Sequence, residues 1–315
     1  MKDGPFLGVD LGGTTVKVAI VNKHGRIIRK KIIRTRIKKG PDIIIRDIVN
    51  CIKSITKRTG ISHFSKVGVG AAGDVDGNAG VVRYSPNLGW KNVHIRKALE
   101  EKLFCPVNVS NDANAAAWGA YVIEAKKKIN NLIAVTLGTG VGGGLIINRK
   151  LYIGATGSAG EIGHMTFNPD GPKCKCGNNG CLERYLGAIY LPEIVAEKIR
   201  FRKDTEILKM TKGSLNNVTP LIVERAAIKG DKLAQEIYAE MGQNLGIALA
   251  GLINLLNPEM IVLSGGISKA GDLLCKPLIK EIKKRTFKSP QKAVRVIFSK
   301  NDRDLGVIGA ALLER

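Results

Sequence analysis

Residues 164–183 read HMTFNPDGPKCKCGNNGCLE, and Cys174, Cys176 and Cys181 follow His164 at short range. Three thiolates and one imidazole make a complete tetrahedral set for Zn²⁺, with no coordination position left for water. An ion held this way staples a loop and takes no part in bond-making. Gly177, Asn178, Asn179 and Gly180 give that loop the turn chemistry it needs. His164 has a second ring nitrogen, however, and metal on one nitrogen fixes the direction in which the other makes its hydrogen bond. Glu161 and Glu183 bracket the set, and both can accept hydrogen bonds from hydroxyls. A metal-stiffened loop that carries Glu, His and Glu suits the recognition of a polyol.

A second kind of chemistry lies in the glycines. Asp10-Leu11-Gly12-Gly13-Thr14-Thr15, with Lys17 beyond it, sits between two apolar stretches. Glycines let backbone N–H groups approach phosphate oxygens closely, threonine adds a hydroxyl, and an aspartate ending a strand can hold Mg²⁺. The spacing matches neither a Walker loop nor a dinucleotide fingerprint. The pattern returns at Gly138-Thr139-Gly140-Val141-Gly142-Gly143-Gly144, read as a turn before a return strand beginning at Leu145. One such turn is an ordinary hairpin. Two, each following a strand, read as a pair of jaws on a polyphosphate.

Asn111-Asp112-Ala113-Asn114 places a carboxylate where a strand meets a helix. Asn111 or Asp112 caps that helix. Beside a bound nucleotide, Asp112 is placed as a general base, taking a proton from a substrate hydroxyl as its oxygen attacks the γ-phosphorus. Ser264-Gly265-Gly266, after another strand, offers a flat backbone surface to a purine.

The elements that position these groups follow from periodicity. Strands are expected at 6–11, 15–22, 26–36, 67–71, 106–110, 132–137, 260–263 and 294–298. Helices are expected at 42–58, 95–103, 111–125, 184–200, 219–229, 231–256, 272–286 and 304–315. The strand–glycine turn–strand unit occurs twice, which implies two similar lobes with a cleft between them. The expected division is a small α/β lobe over 1–111, with helix 304–315 packing on it, and a larger α/β lobe over 112–303 that carries the metal loop 164–181.

Composition bounds the alternatives. Of 315 residues, 44% are hydrophobic, enough for a core, and 5% are aromatic, so that core is aliphatic. No leader-like apolar stretch and no membrane span is expected, which points to the cytoplasm. Cys51, Cys105 and Cys275 stand singly and read as small core residues. The net charge of +23 raises the question of nucleic acid. The cations are scattered, however, and runs such as Lys126–Lys128 and Lys283–Arg285 lack the interleaved aromatics of a base-stacking platform. They read as solvated surface that also attracts anionic nucleotides.

DLGGTTVK, the PNLGW segment at 86–90, NDANAAAWG at 111–119, LGTGVGGG, EIGH at 161–164 and CKCGNNGCLE at 174–183 together resemble the ROK family (repressors, open reading frames and kinases). The resemblance runs from about Phe6 to the C-terminus. It implies an α/β chain with the actin-like ATPase fold, a duplicated ribonuclease H-like architecture. It also implies ATP-dependent phosphorylation of a hexose at its 6-hydroxyl, in a homodimer or homotetramer. Glucose is the first substrate to expect, with N-acetylmannosamine, N-acetylglucosamine and fructose as alternatives, and polyphosphate as an alternative donor. Asp112 matches the catalytic base. Asn87, Asn111, Asp112, Glu161, His164 and Glu183 match the sugar-binding positions, and His164, Cys174, Cys176 and Cys181 the zinc ligands. Gly12, Gly13 and Thr14, with Asp10, and Gly138, Thr139 and Gly140 match the phosphate loops, and Gly265 and Gly266 the adenosine loop. Ser264 departs from a family pattern that often has a third glycine there. Nine residues precede Asp10, so the winged helix of family repressors is not expected. A sugar-responsive regulator and a zinc-ribbon interaction module are the competing classes.

Overall fold

The computed structural model describes residues 5–61, 64, 66–200, 202 and 204–313. Strands β1 (Phe6–Leu11) and β2 (Thr15–Val21) form a hairpin, closed where Gly12 N–H donates to Thr15 O at 3.1 Å. Strand β3 (Ile27–Arg34) adds antiparallel to β2. Helix α1 (Pro41–Lys57) starts with proline and an aspartate in its first turn, both favoured there, and buries Ile44, Ile45, Ile48, Ile52 and Ile55 as their spacing predicts. Strand β4 (Val67–Ala71) lies parallel to β1. A small antiparallel sheet of β5 (Asp74–Asp76), β6 (Val81–Ser85) and β7 (Trp90–Val93) follows. Its strands are too short to show a period, and they are absent from the expected set. Helix α2 (Ile95–Leu103), β8 (Val107–Asn111), parallel to β4, and α3 (Asp112–Ile123) complete this stretch.

The second half begins with β9 (Leu132–Leu137), β10 (Val141–Ile147) and β11 (Lys150–Tyr152). Then come α4 (Glu183–Leu186), α5 (Leu191–Ile199), α6 (Glu206–Thr211), α7 (Pro220–Ile228) and α8 (Lys232–Leu256). Strand β12 (Met260–Ser264), α9 (Asp272–Arg285), α10 (Lys288–Ala293), β13 (Arg295–Phe298) and α11 (Leu305–Leu312) end the chain. Residues 314 and 315 of the expected last helix lie outside the described residues. The helix expected over 184–200 is two helices. Gly187 takes extended backbone (φ −71°, ψ 135°), and Pro192 starts a new helix just beyond it. Strand β10 begins at Val141 rather than Leu145, so Gly142, Gly143 and Gly144 belong to a strand and not to the turn. A side chain at Gly144 would strike the Ala117 methyl and Ala113 carbonyl of α3, with Ala113 O at 3.1 Å. Gly144 therefore serves packing.

Among the described residues the larger sheets have the orders β3-β2-β1-β4-β8 and β11-β10-β9-β12-β13. Each places its own first strand at the centre, its second and third on one side and its fourth and fifth on the other. The duplication inferred from the glycine turns is thus present in the topology.

The chain forms two compact units. One comprises Met1–Ala134, Gly143–Gly160 and Arg303–Arg315, the other Val135–Gly142 and Glu161–Asp302. The division does not fall at 111/112: α3 belongs to the first unit. It is held there by α11, which packs on α3, β1 and β4. The approach is backbone to backbone. A Cβ at Gly309 would collide with the Ala115 carbonyl, and one at Gly119 with the Leu305 carbonyl. Trp118 Nε1 donates to Leu312 O at 2.7 Å across the same contact. No helix among the described residues is long and apolar enough to cross a membrane. Gly309→Ala is expected to lower stability by about 3 kcal/mol or more, since neither backbone can yield locally; urea unfolding of the purified variant measures it.

Candidate functional site

In the first unit, β1, β4 and β8 run parallel, and their C-terminal ends meet where Leu11 pairs with Ala71 and Ala71 with Asn111. Asp10, the Gly12–Thr14 turn and Asp112 therefore share one sheet edge. Gly13 lies so close to the loop between β6 and β7 that a Cβ would stand 2.8 Å from Asn87 O. This brings exposed Asn87 beside the turn, on a loop anchored by buried Leu88 and Trp90.

Asn111, not Asp112, caps α3. Its Oδ1 accepts from Ala113 and Asn114 N–H at 2.8 and 3.1 Å, and its Nδ2 donates to Gly73 O at 2.8 Å. Both ends of this side chain are engaged with backbone. Half-buried Asp112, the first residue of the helix, also accepts from Ala113 N–H through Oδ1 at 2.9 Å. Asp10 carries a counter-ion: directly across the hairpin, Lys17 Nζ donates to its Oδ2 at 2.8 Å. A Mg²⁺ at Asp10 would have to share the carboxylate with this ammonium.

In the second unit, one ligand atom each from His164, Cys174, Cys176 and Cys181 lie within 4.8 Å of one another. Cys176 and Cys181 Sγ are 3.6 Å apart, and Cys174 Sγ is 3.9 Å from His164 Nδ1. Sulfur ligands at 2.3 Å from a tetrahedral centre stand about 3.8 Å apart, so the spacing fits an ion of that kind. Crowding splits the thiols. Burial, then Cys176 and Cys174, push Cys181 up to about 12. Burial also works to raise Cys176, but hydrogen bonds from the Asn178 backbone and from Cys174 and Cys181 outweigh it and leave Cys176 lowered. Ionising all three thiols at this spacing would require a cation among them.

The sequence reading missed Tyr190, which lay inside the expected continuous helix with no motif to mark it. Its buried hydroxyl stands 3.8 Å from Cys174 Sγ and accepts from Lys175 N–H at 3.3 Å, and the Arg184 guanidinium lies 4.0 Å from its ring centre.

The same unit holds the second glycine turn. Ala188 and Ile189 N–H donate to Gly138 and Thr139 O at 3.1 and 3.0 Å. Glu183 Oε2 accepts from Val141 N–H at 2.8 Å. Glu161 stands exposed just before the short helical turn that ends at His164, whose N–H donates to Glu161 O at 3.0 Å. Gly265, at φ 101°, packs directly on the Leu137 backbone, so the turns after β9 and β12 lie side by side. No protein atom comes within 4 Å of where a Cβ would stand at Gly138 or Gly266. Both stretches of backbone are open to a ligand.

Cys176→Ser is expected to cut bound metal from about one ion per chain to near zero and to lower the melting temperature, because structural metal binding is coupled to folding. Elemental analysis and thermal unfolding of the purified variant check both.

The ROK family model matches residues 6–315. A glucokinase of Halalkalibacterium halodurans is 36% identical over 99% of this chain and 96% of its own length. A xylose repressor of Caldicellulosiruptor bescii is 30% identical over 90% of this chain and 71% of its own. The structure of a ROK family glucokinase from Streptomyces griseus, in complex with glucose and AMPPNP, superposes with a TM-score of 0.85 at 32% identity, covering 98% of each chain. The α/β architecture is that of the actin-like ATPases. With a family match over essentially its whole length, the chain belongs to the ROK family.

Proposed function

We propose that this protein is an ATP-dependent hexose kinase that phosphorylates the sugar 6-hydroxyl, with glucose as its first substrate. The observation that carries the reading is the position of Asp112, at the start of α3 and on the sheet edge that also bears the Gly12–Thr14 turn. The likeness to glucokinases over nearly the full length of both chains supports it.

Asp112 accepts the proton of the 6-hydroxyl as that oxygen attacks the γ-phosphorus, and ADP leaves with the electrons of the broken bond. Backbone N–H groups of the turns at 12–14 and 138–140 receive phosphate oxygens, and Gly265 and Gly266 face the adenosine. Mg²⁺ arriving with ATP neutralises charge on the β- and γ-phosphates. Asn87, Asn111, Glu161, His164 and Glu183 read the sugar hydroxyls. Asn111 does so through whatever hydrogen-bonding capacity its cap leaves over. His164, Cys174, Cys176 and Cys181 would hold Zn²⁺ as a structural ion, which fixes the direction of the free imidazole nitrogen. The six cysteines are all unpaired, which suits the reducing cytoplasm where ATP is made.

The repressor relative supports a second reading, a sugar-responsive regulator. Release of ADP from ATP, measured across glucose, fructose, N-acetylglucosamine and N-acetylmannosamine, separates the two and ranks the sugars. Absence of sugar-dependent ADP release, with polyphosphate also inactive as donor, would overturn the kinase reading. Asp112→Asn is expected to lower turnover about 10²–10⁴-fold while glucose still binds, as calorimetry would read.

A further inference from the structure

Glu183 does something that sugar recognition does not require. It follows Cys181 and fully buried Leu182, so the metal loop fixes its backbone. Its Oε2 accepts the N–H of Val141, the residue that ends the second glycine turn, at 2.8 Å. The same oxygen fills the space over Gly140: a Cβ there would collide with it. The turn is held from the other side by Ala188 and Ile189, whose N–H groups take the carbonyls of Gly138 and Thr139. The carbonyls are thereby turned towards the protein. Among the described residues, the N–H groups of Thr139 and Gly140 donate to no protein acceptor. Carbonyls engaged and N–H groups free is the arrangement an anion needs. Of the three hydrogen bonds that produce it, the one to the Glu183 carboxylate is the one made by a side chain.

We propose that Glu183 is a positioning residue for the nucleotide: its carboxylate holds the Gly138–Gly140 turn in the shape that accepts phosphate. This rests on the reading of that turn as a phosphate loop. Among the described residues, Oε1 accepts no hydrogen bond from a protein group, so it remains available to a sugar hydroxyl. One carboxylate then touches both substrates' sites. A hydrogen bond to an ionised group contributes enough that its loss is felt at the turn. A residue that reads sugar alone would leave nucleotide binding by the sugar-free protein unchanged.

The test is calorimetric titration of the sugar-free, metal-loaded protein with ADP and with a non-hydrolysable ATP analogue. Glu183→Ala is expected to weaken nucleotide binding about ten-fold or more, with metal content unchanged. Glu183→Gln is expected to recover most of that loss, because its amide oxygen still accepts from Val141 N–H. Gly140→Ala, which displaces the carboxylate without removing it, is expected to weaken binding as Glu183→Ala does, and it keeps the question decidable if the first variant does not fold. Wild-type affinity in Glu183→Ala or in Gly140→Ala would overturn the assignment. A wild-type protein that binds no nucleotide would instead overturn the reading of the turn, and this inference with it.

Discussion

Three thiols and an imidazole held within 4.8 Å of one another repel as soon as two of the thiols ionise. Keeping these four groups together is the constraint around which the second unit's loop is arranged. The loop between Cys174 and Cys181 has no regular secondary structure of its own, only turns and isolated bridges such as Lys173 with Asn179 and Thr166 with Cys181. Its shape follows from its ligands, and what it supports follows from its shape. Leu182 and Glu183 leave the cluster in one direction and reach the glycine turn. Gly163, next to His164, packs on the Val141 carbonyl from the other end of the loop. The Cys/His cluster and the second glycine turn are thus neighbouring parts of one assembly.

The first unit solves a different problem by different means. It has no metal cluster among its described residues, and the Asp112 carboxylate stands just past the end of a parallel strand. Precision there comes from the sheet: the registers of β1 with β4 and of β4 with β8 fix where Asp10, the first turn and Asp112 stand. The capping amide of Asn111 then sets how α3 departs, and with it the direction of the Asp112 side chain. A sheet edge is a rigid place from which to do chemistry.

Much of this was legible in the chain. Cys-x-Cys-x4-Cys with a histidine upstream has few explanations besides a metal, and the structure gathers those four residues. The paired glycine turns announced a duplication that the strand orders carry. Other features were hidden for physical reasons. Three- to five-residue strands such as β5–β7 have no period to detect. Helical spacing continues through Gly187 and Pro192, because the apolar residues of α4 and α5 keep their rhythm across the break. The run Gly142–Gly144 read as part of a turn, because the crowding that requires a glycine at 144 comes from α3, more than twenty residues earlier in the chain. The division at 111/112 failed because α3 is claimed by α11, a partner nearly two hundred residues later. Contacts of that separation leave no local trace.

That late partner bears on how the protein is made. The first unit includes Arg303–Arg315, yet these residues are synthesised only after the whole of the second unit's chain. Until they leave the ribosome, the glycine-lined faces of β1, β4 and α3 have nothing to close them. An N-terminal unit that could finish folding early must instead wait, its small-residue groove open to the cell's chaperones and to the wrong helix.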